Sequence, residues 1–130
     1  EFQHQVYEHP NASTADRHDM WKSIEDKYSP WTDYGDMTHP ASGGRWQAKR
    51  HIYMSPFYYI DYTLAQTCAL QLWQAAEADR ESTLRDYVAL CKRGGEAPFQ
   101  ELVESANLIS PFVDGCLKNV VAKSREALGV

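Results

Sequence analysis

One short stretch of the chain concentrates the side chains most capable of chemistry. Between residues 50 and 62 lie one imidazole and four phenols, those of His51, Tyr53, Tyr58, Tyr59 and Tyr62. A phenol or an imidazole can donate a hydrogen bond to an oxyanion that develops during a reaction. The same side chains can also be half-buried aromatics that pack against a core. The residue types alone do not decide between these two interpretations.

The same stretch marks the predicted start of the strongest helix in the sequence. Ser55 has the side chain of a good N-cap, and Pro56 suits the first helical position because it has no N–H to leave unpaired. These two residues predict a helix that begins at Pro56. Tyr58 and Tyr62 would then share one helical face, because they are four residues apart. The histidine and the first tyrosine would lie just before the helix.

Length, charge and hydropathy limit the class of protein. The chain has 130 residues, which is the size of one ordinary domain. Its net charge is −5 and it has no basic run, so we expect no nucleic-acid partner. Its apolar runs are shorter than the ~20 residues that span a bilayer, so we expect no membrane partner.

The cysteines and the first residues carry two further expectations. Cys68, Cys91 and Cys116 form no CxxC pair and lie in apolar helical contexts, which predicts core residues in a reducing compartment and a cytoplasmic protein. The chain does not begin with Met, and residues 1–9 have the pattern of a helix already under way. We therefore expect the chain to be a fragment of a longer protein.

Apolar residues at three-to-four spacing predict an all-α fold of about six helices. The predicted helices cover residues 2–9, 14–28, 56–78, 83–93, 98–106 and 112–128. Ser13 and Asp16 predict a capping box for the second helix, and Ser82 predicts the N-cap of the fourth. The third helix is apolar on most sides and is predicted to be largely buried. Only residues 47–53 and similar short segments could form a strand.

Residues 29–49 are predicted to be one long irregular segment. Turn-forming residues occur throughout it, and loops of this length are usually functional or mobile. It also contains Trp31, Tyr34 and Trp46, which a solvated linker would not need. We expect this segment to fold over another part of the protein, with Gly43 and Gly44 allowing it to move.

Several catalytic motifs are absent from the sequence. There is no HExxH, and His4 and His9 are five residues apart, which does not place two imidazoles on one helical face. No serine lies in a G-x-S-x-G elbow. Neither Gly-Gly pair is followed by the Lys-Ser/Thr of a phosphate-binding loop.

The segment His51 to Tyr62 reads His-Ile-Tyr-x-x-Pro-Phe-Tyr-Tyr-Ile-Asp-Tyr. It resembles the C-terminal part of oligoendopeptidase F, in the thimet-type zinc metallopeptidase clan. Further matches follow in comparable order, at residues 69–73, 87–90, 94–95, 99–102 and 110–112. Upstream, Phe2 to Val6 resembles the family's Phe-Glu-x-x-x-His helix, with Gln3 where many members have an acid. The resemblance covers nearly the whole chain.

The resemblance implies a zinc-dependent endopeptidase that hydrolyses internal bonds of short peptides within a mostly helical, two-lobed shell. The family's zinc ligands and its HExxH glutamate have no counterpart in this sequence. We therefore expect residues 1–130 to be a single helical C-terminal region of the catalytic domain. We also expect this region to bind no catalytic zinc and to be inactive by itself. Its first partner would be the N-terminal part of the same protein.

The resemblance also implies roles for individual residues. His51 would orient the scissile carbonyl or donate a hydrogen bond to it, and Tyr62 would stabilise the oxyanion. Tyr53 and Tyr58 would bind the substrate backbone, and Tyr58 is also a second candidate for the phenol that stabilises the oxyanion. Tyr59 is assigned to packing.

A second hypothesis comes from a different class of protein. In it the chain is a non-catalytic helical peptide-binding or scaffolding domain, and the tyrosines only pack. Under the first hypothesis, faces that meet the rest of the peptidase would be exposed apolar surface in this chain. We therefore expect the isolated chain to self-associate.

Overall fold

The computed structural model describes residues 1–129, so Val130, the last residue of the predicted region, lies outside the described residues. Over that range the chain has eight α-helices, one 3₁₀ helix and no strand, which confirms the all-α class. The chain divides into two compact units, with Tyr59 the last residue of unit 1 and Ile60 the first of unit 2. No helix within residues 1–129 combines the length and the apolar character needed to cross a bilayer.

Unit 1 contains four α-helices and the 3₁₀ helix. They are α1 (Phe2–Glu8), α2 (Thr14–Tyr28), α3 (Thr38–Ala41), the 3₁₀ helix (Gly44–Ala48) and α4 (Arg50–Met54). The predicted capping box at the start of α2 is confirmed. The Asp16 N–H donates to the Ser13 hydroxyl at 3.2 Å, and the Ser13 N–H donates to the Asp16 carboxylate at 2.8 Å.

The core of unit 1 is aromatic. Phe2 is buried between two indoles, with its ring centroid 5.2 Å from that of Trp21 and 5.4 Å from that of Trp46. Trp46 is also buried, and it belongs to the segment that the sequence predicts to be irregular. Burial of this one indole therefore fixes the end of the segment against α1 and α2.

Unit 2 contains the last four α-helices. They are α5 (Tyr59–Ala78, whose first residue closes unit 1), α6 (Arg80–Lys92), α7 (Phe99–Ser105) and α8 (Cys116–Leu128). Its core centres on Val103, Ala106 and Leu108, against which Cys68, Leu72 and Leu90 pack. The side-chain amide of Gln71 binds the backbone of Ile109, beside this core. It donates to the Ile109 carbonyl and accepts from the Ile109 N–H, both at 2.9 Å.

All six predicted helices are present, and the structure adds two short ones, α3 and α4. The possible strand at residues 47–53 is wrong, because these residues belong to the 3₁₀ helix and α4. The predicted Ser82 cap is also wrong. Asp79 is the N-cap of α6, since its carboxylate accepts the Ser82 N–H at 3.0 Å. The last helix begins at Cys116, after Gly115 turns the chain with φ +84°.

The prediction that the third helix is largely buried is wrong for this chain. Thr67 is the one residue of α5 that is buried among those described. Ile60, for example, is 55% exposed. Apolar residues on several sides of a helix do not say whether the surface that covers them belongs to the same segment of chain.

Candidate active site

His51 lies against two tyrosine rings in unit 1. Its ring is stacked on that of Tyr58, with centroids 5.8 Å apart and planes 11° apart. The ring of Tyr59 is closer, with a centroid distance of 4.6 Å and planes tilted by 37°. The imidazole is half-buried, whereas the two phenol side chains are each a little under half exposed. The structure therefore brings together an imidazole and two accessible phenols.

The backbone that joins these rings is a turn and not the predicted helix start. α4 ends at Met54, and the Tyr58 N–H donates to the Ser55 carbonyl at 3.2 Å. Pro56 is the second residue of this turn and Phe57, with φ +64°, is the third, as in a type II turn. The prediction that Ser55 caps a helix beginning at Pro56 is therefore wrong. A proline without an N–H fits either position, so its sequence context did not decide between them.

This turn also changes the relation between the two tyrosines that were expected to share a helical face. Tyr58 lies in the turn, and α5 begins one residue later. The four-residue spacing of Tyr58 and Tyr62 therefore does not place them on one helical face. Tyr62 lies in unit 2, in the first turns of α5, and is 58% exposed.

Tyr53 has a different partner from His51. Its ring is stacked on Trp46, with centroids 6.1 Å apart and planes 28° apart. Together with Phe2 and Ile52 it lines a cavity of about 200 Å³ in unit 1. More than half of the Tyr53 side chain is exposed, so its phenol is accessible from outside.

A buried carboxylate holds the segment that leads to Trp46. Glu25, on α2, accepts from the Tyr34 hydroxyl at 2.6 Å and from the Arg45 guanidinium at 3.1 Å. Burial and the hydrogen bond to Glu25 raise the pKa of the Tyr34 phenol. Arg45 also donates to the Tyr34 oxygen at 3.0 Å, and this bond raises the pKa of the guanidinium. These three residues are far apart in sequence, and no local pattern predicts that they meet.

Close packing explains the two glycines in this segment. A Cβ on Gly43, which has φ +87°, would lie 2.1 Å from the His18 carbonyl oxygen. A Cβ on Gly44 would lie 2.3 Å from the His39 ring. Gly43 therefore requires glycine for its positive φ and for space, whereas a side chain at Gly44 would have to displace the exposed His39 ring. The sequence suggested both glycines as a source of movement.

Two further residues belong to this region. Tyr59, which the sequence assigns to packing, has its ring closer to His51 than that of Tyr58. Phe57 was read only as an apolar helix residue, and the sequence carries no signal for its positive φ.

The described residues contain no candidate metal site. Within residues 1–129, no group of three or more His, Cys, Asp or Glu side chains stands close enough to hold a metal ion. The residues of this chain therefore do not fit the zinc site that the resemblance implies.

Comparisons with known proteins place the chain in a family. The profile of the family described as peptidase family M3 matches residues 1–121. No curated protein matches the chain.

Solved structures match almost its whole length. A protein assigned as an oligoendopeptidase F is 54% identical to this chain, with a TM-score of 0.91. The match covers 98% of this chain and 23% of that protein's chain. PZ peptidase A, in complex with an inhibitor, is 50% identical over 98% of this chain and 23% of its own, with a TM-score of 0.92. A protein from Bacillus anthracis that is also assigned as an oligoendopeptidase F is 46% identical, with a TM-score of 0.75. This match covers 99% of this chain and 20% of that protein's chain. The chain thus spans about a quarter of these relatives, and it belongs to peptidase family M3.

Proposed function

We propose that this chain is the helical C-terminal region of the catalytic domain of a zinc-dependent oligoendopeptidase. The whole protein would hydrolyse internal bonds of short peptides. The observation that carries the proposal is identity of 50% or more to an assigned oligoendopeptidase F and to PZ peptidase A over 98% of this chain. The chain would supply the side of the cleft that binds the peptide backbone and stabilises the oxyanion.

The chemistry of the chain's own side chains supports this role. Attack of water on a peptide carbonyl produces a tetrahedral oxyanion, which needs hydrogen-bond donors. A neutral phenol, with a pKa of about 10, remains a donor at neutral pH. In the proposal Tyr62 donates to the oxyanion, and His51 orients the carbonyl or donates to it. Losing one such donor typically raises the barrier by about 3 kcal/mol.

Tyr58 and Tyr53 take the substrate-binding roles. Tyr58 is stacked on His51, and Tyr53 is accessible beside the cavity in unit 1. Both side chains are held by ring contacts that leave a large part of their surface exposed, as a donor to a peptide backbone requires. The contact between Tyr59 and His51 adds Tyr59 to this group of candidates.

Zinc belongs in the proposal to the whole protein and not to this chain. In the proposal the ligands come from residues outside this chain, as the resemblance to zinc oligopeptidases implies. The isolated chain would then bind no catalytic zinc and hydrolyse no peptide. Zinc analysis of the purified chain and of the whole protein would test this point directly.

The exposed apolar surface supports a contact with the rest of the protein. Leu64, Ala65, Phe99 and Phe112 line an open, largely apolar groove of about 650 Å³ in unit 2. Much of α5 is exposed as well. In the proposal these surfaces meet the three quarters of the peptidase that lie outside this chain. The isolated chain would therefore self-associate, and light scattering that shows only monomer at high concentration would contradict this.

The three cysteines support a reducing, cytoplasmic location, because Cys68, Cys91 and Cys116 are all free thiols. This location is part of the proposal.

The experiment that tests the proposed function uses the whole protein and a set of short, internally quenched peptides. We expect cleavage at internal bonds, mapped by mass spectrometry, and loss of cleavage after zinc is removed by a chelator. Binding of the same peptides without any cleavage would favour the non-catalytic peptide-binding domain. Release of terminal residues only would contradict the endopeptidase assignment.

A further inference from the structure

The turn beside His51 contains an unusual backbone conformation. Phe57 has φ +64°, in the left-handed region that bulky side chains rarely adopt. The third position of a type II turn is normally taken by Gly or Asn for this reason. Residues held in such conformations persist only where the surroundings determine them, and they are concentrated at functional sites.

Helix α1 supplies the contacts that hold this conformation. The Phe57 N–H donates to the side-chain carbonyl oxygen of Gln3 at 3.0 Å. The Phe57 ring lies 5.1 Å from the ring of His4 and 5.5 Å from that of Tyr7, centroid to centroid. Residues 3, 4 and 7 are neighbours on one side of a helix. One face of α1 therefore contacts both the backbone and the side chain of Phe57.

The conformation of Phe57 affects the candidate site, because it sets the direction of the chain that follows. Tyr58 and Tyr59 follow Phe57 directly, and both rings contact His51. A change of Phe57 to an ordinary negative φ would redirect the chain at this point. The two phenols would then leave the imidazole.

We propose that Gln3 is a positioning residue of the peptidase, which holds Phe57 in its left-handed conformation and thereby sets Tyr58 and Tyr59 against His51. The inference rests on the proposed function for its catalytic consequence. Its structural part stands on the contacts of α1 alone. Gln3 acts through its side-chain carbonyl oxygen, which accepts the Phe57 N–H. Its amide nitrogen is buried and has no hydrogen-bond partner among the described residues.

The test compares Gln3→Met with Gln5→Met in the whole protein. Methionine matches glutamine in length but offers no comparable acceptor. Gln5 is the matched control, because it lies on the same helix, is half-buried like Gln3, and has a side-chain oxygen with no hydrogen-bond partner within residues 1–129. Two kinds of measurement are made: hydrogen–deuterium exchange of the peptide covering residues 55–62, and steady-state kinetics of peptide hydrolysis, which give kcat and KM.

We expect Gln3→Met to speed exchange of the Phe57 and Tyr58 amides by about tenfold, since one hydrogen bond that holds the turn is lost. We expect kcat to fall by about ten- to a hundredfold, because His51 loses the rings that orient it, and KM to rise, because Tyr58 and Tyr59 leave their substrate-binding positions. Gln5→Met should leave exchange, kcat and KM near wild type. Should Gln3→Met fail to fold, Gln3→Glu serves instead, because it keeps an acceptor and should retain slow exchange and activity.

Unchanged exchange in Gln3→Met, or fast exchange in Gln3→Glu, would overturn the structural part of the proposal. Fast exchange in Gln3→Met with wild-type kcat would show that Gln3 supports the turn but positions no catalytic group, which would overturn the positioning role. Absence of hydrolysis by the wild-type protein would refute the proposed function and, with it, the catalytic role. The exchange measurement would still decide the structural part.

Discussion

The rings of His51 and Tyr58 lie nearly parallel, with 5.8 Å between their centroids and 11° between their planes. The two residues belong to different local structures, α4 and the turn that follows it. Their contact gives the imidazole a fixed orientation while Tyr58 remains accessible. A fixed imidazole is more useful to catalysis than a mobile one, because orientation then costs nothing during the reaction.

Replacement of His51 by phenylalanine tests whether the imidazole nitrogens are used. His51→Phe keeps a ring against Tyr58 and Tyr59 but removes both nitrogens. We expect kcat/KM for peptide hydrolysis to fall by about 10²-fold or more, the typical effect of losing one donor. Circular dichroism should show an intact fold.

The control for this change is His9→Phe, at an exposed histidine at the end of α1. It should leave kcat/KM close to wild type. Equal activities of His51→Phe and wild type would remove the imidazole from the mechanism and leave His51 a packing role.

The left-handed conformation of Phe57 makes a prediction about stability. Phe57→Gly and Phe57→Ala both remove the ring, but only alanine keeps a Cβ that opposes a positive φ. We expect the glycine variant to be more stable than the alanine variant by about 1 kcal/mol in thermal or chemical unfolding.

Leu102 provides the opposite case, because it lies in the interior of helix α7, where alanine is preferred to glycine. There the alanine variant should be the more stable of the two. A more stable alanine variant at residue 57 as well would contradict the positive φ of this residue and the type II turn.

The raised pKa of Tyr34 predicts a pH dependence. The folded protein favours the neutral phenol, mainly through burial and then through the bond to Glu25. The contribution of Tyr34 to stability is therefore fully present below the unfolded pKa of about 10 and is lost as pH rises through the higher folded pKa. Unfolding of Tyr34→Phe, followed from pH 8 upward, should depend on pH less steeply than that of wild type. Equal slopes would mean that the Tyr34 hydroxyl has no such environment.

Local chemistry was readable from the sequence, and contacts between distant residues were not. The capping box of Ser13 and Asp16 lies within four residues, so its pattern determined its structure. Pro56 was ambiguous, because a helix start and a turn place the same demand on proline. The contacts of Gln3 with Phe57 and of Glu25 with Arg45 join residues 54 and 20 positions apart, and no local pattern encodes them.

The exposure of α5 illustrates another limit. Its apolar residues predict burial, but the chain leaves most of them uncovered. The helical spacing of apolar residues predicts that a surface is covered, but it does not indicate which segment covers it. In the proposed function the segments that cover this surface belong to the part of the peptidase outside this chain.

The central claim is that this chain supplies the oxyanion-stabilising side of a peptidase cleft, and the kcat of Tyr62→Phe tests it most directly. Tyr87→Phe is the control, because Tyr87 is an accessible tyrosine of unit 2 on α6. In the whole protein we expect Tyr62→Phe to lower kcat by about 10²- to 10³-fold, with zinc content unchanged. The control should keep wild-type turnover. Wild-type turnover of Tyr62→Phe would contradict the claim.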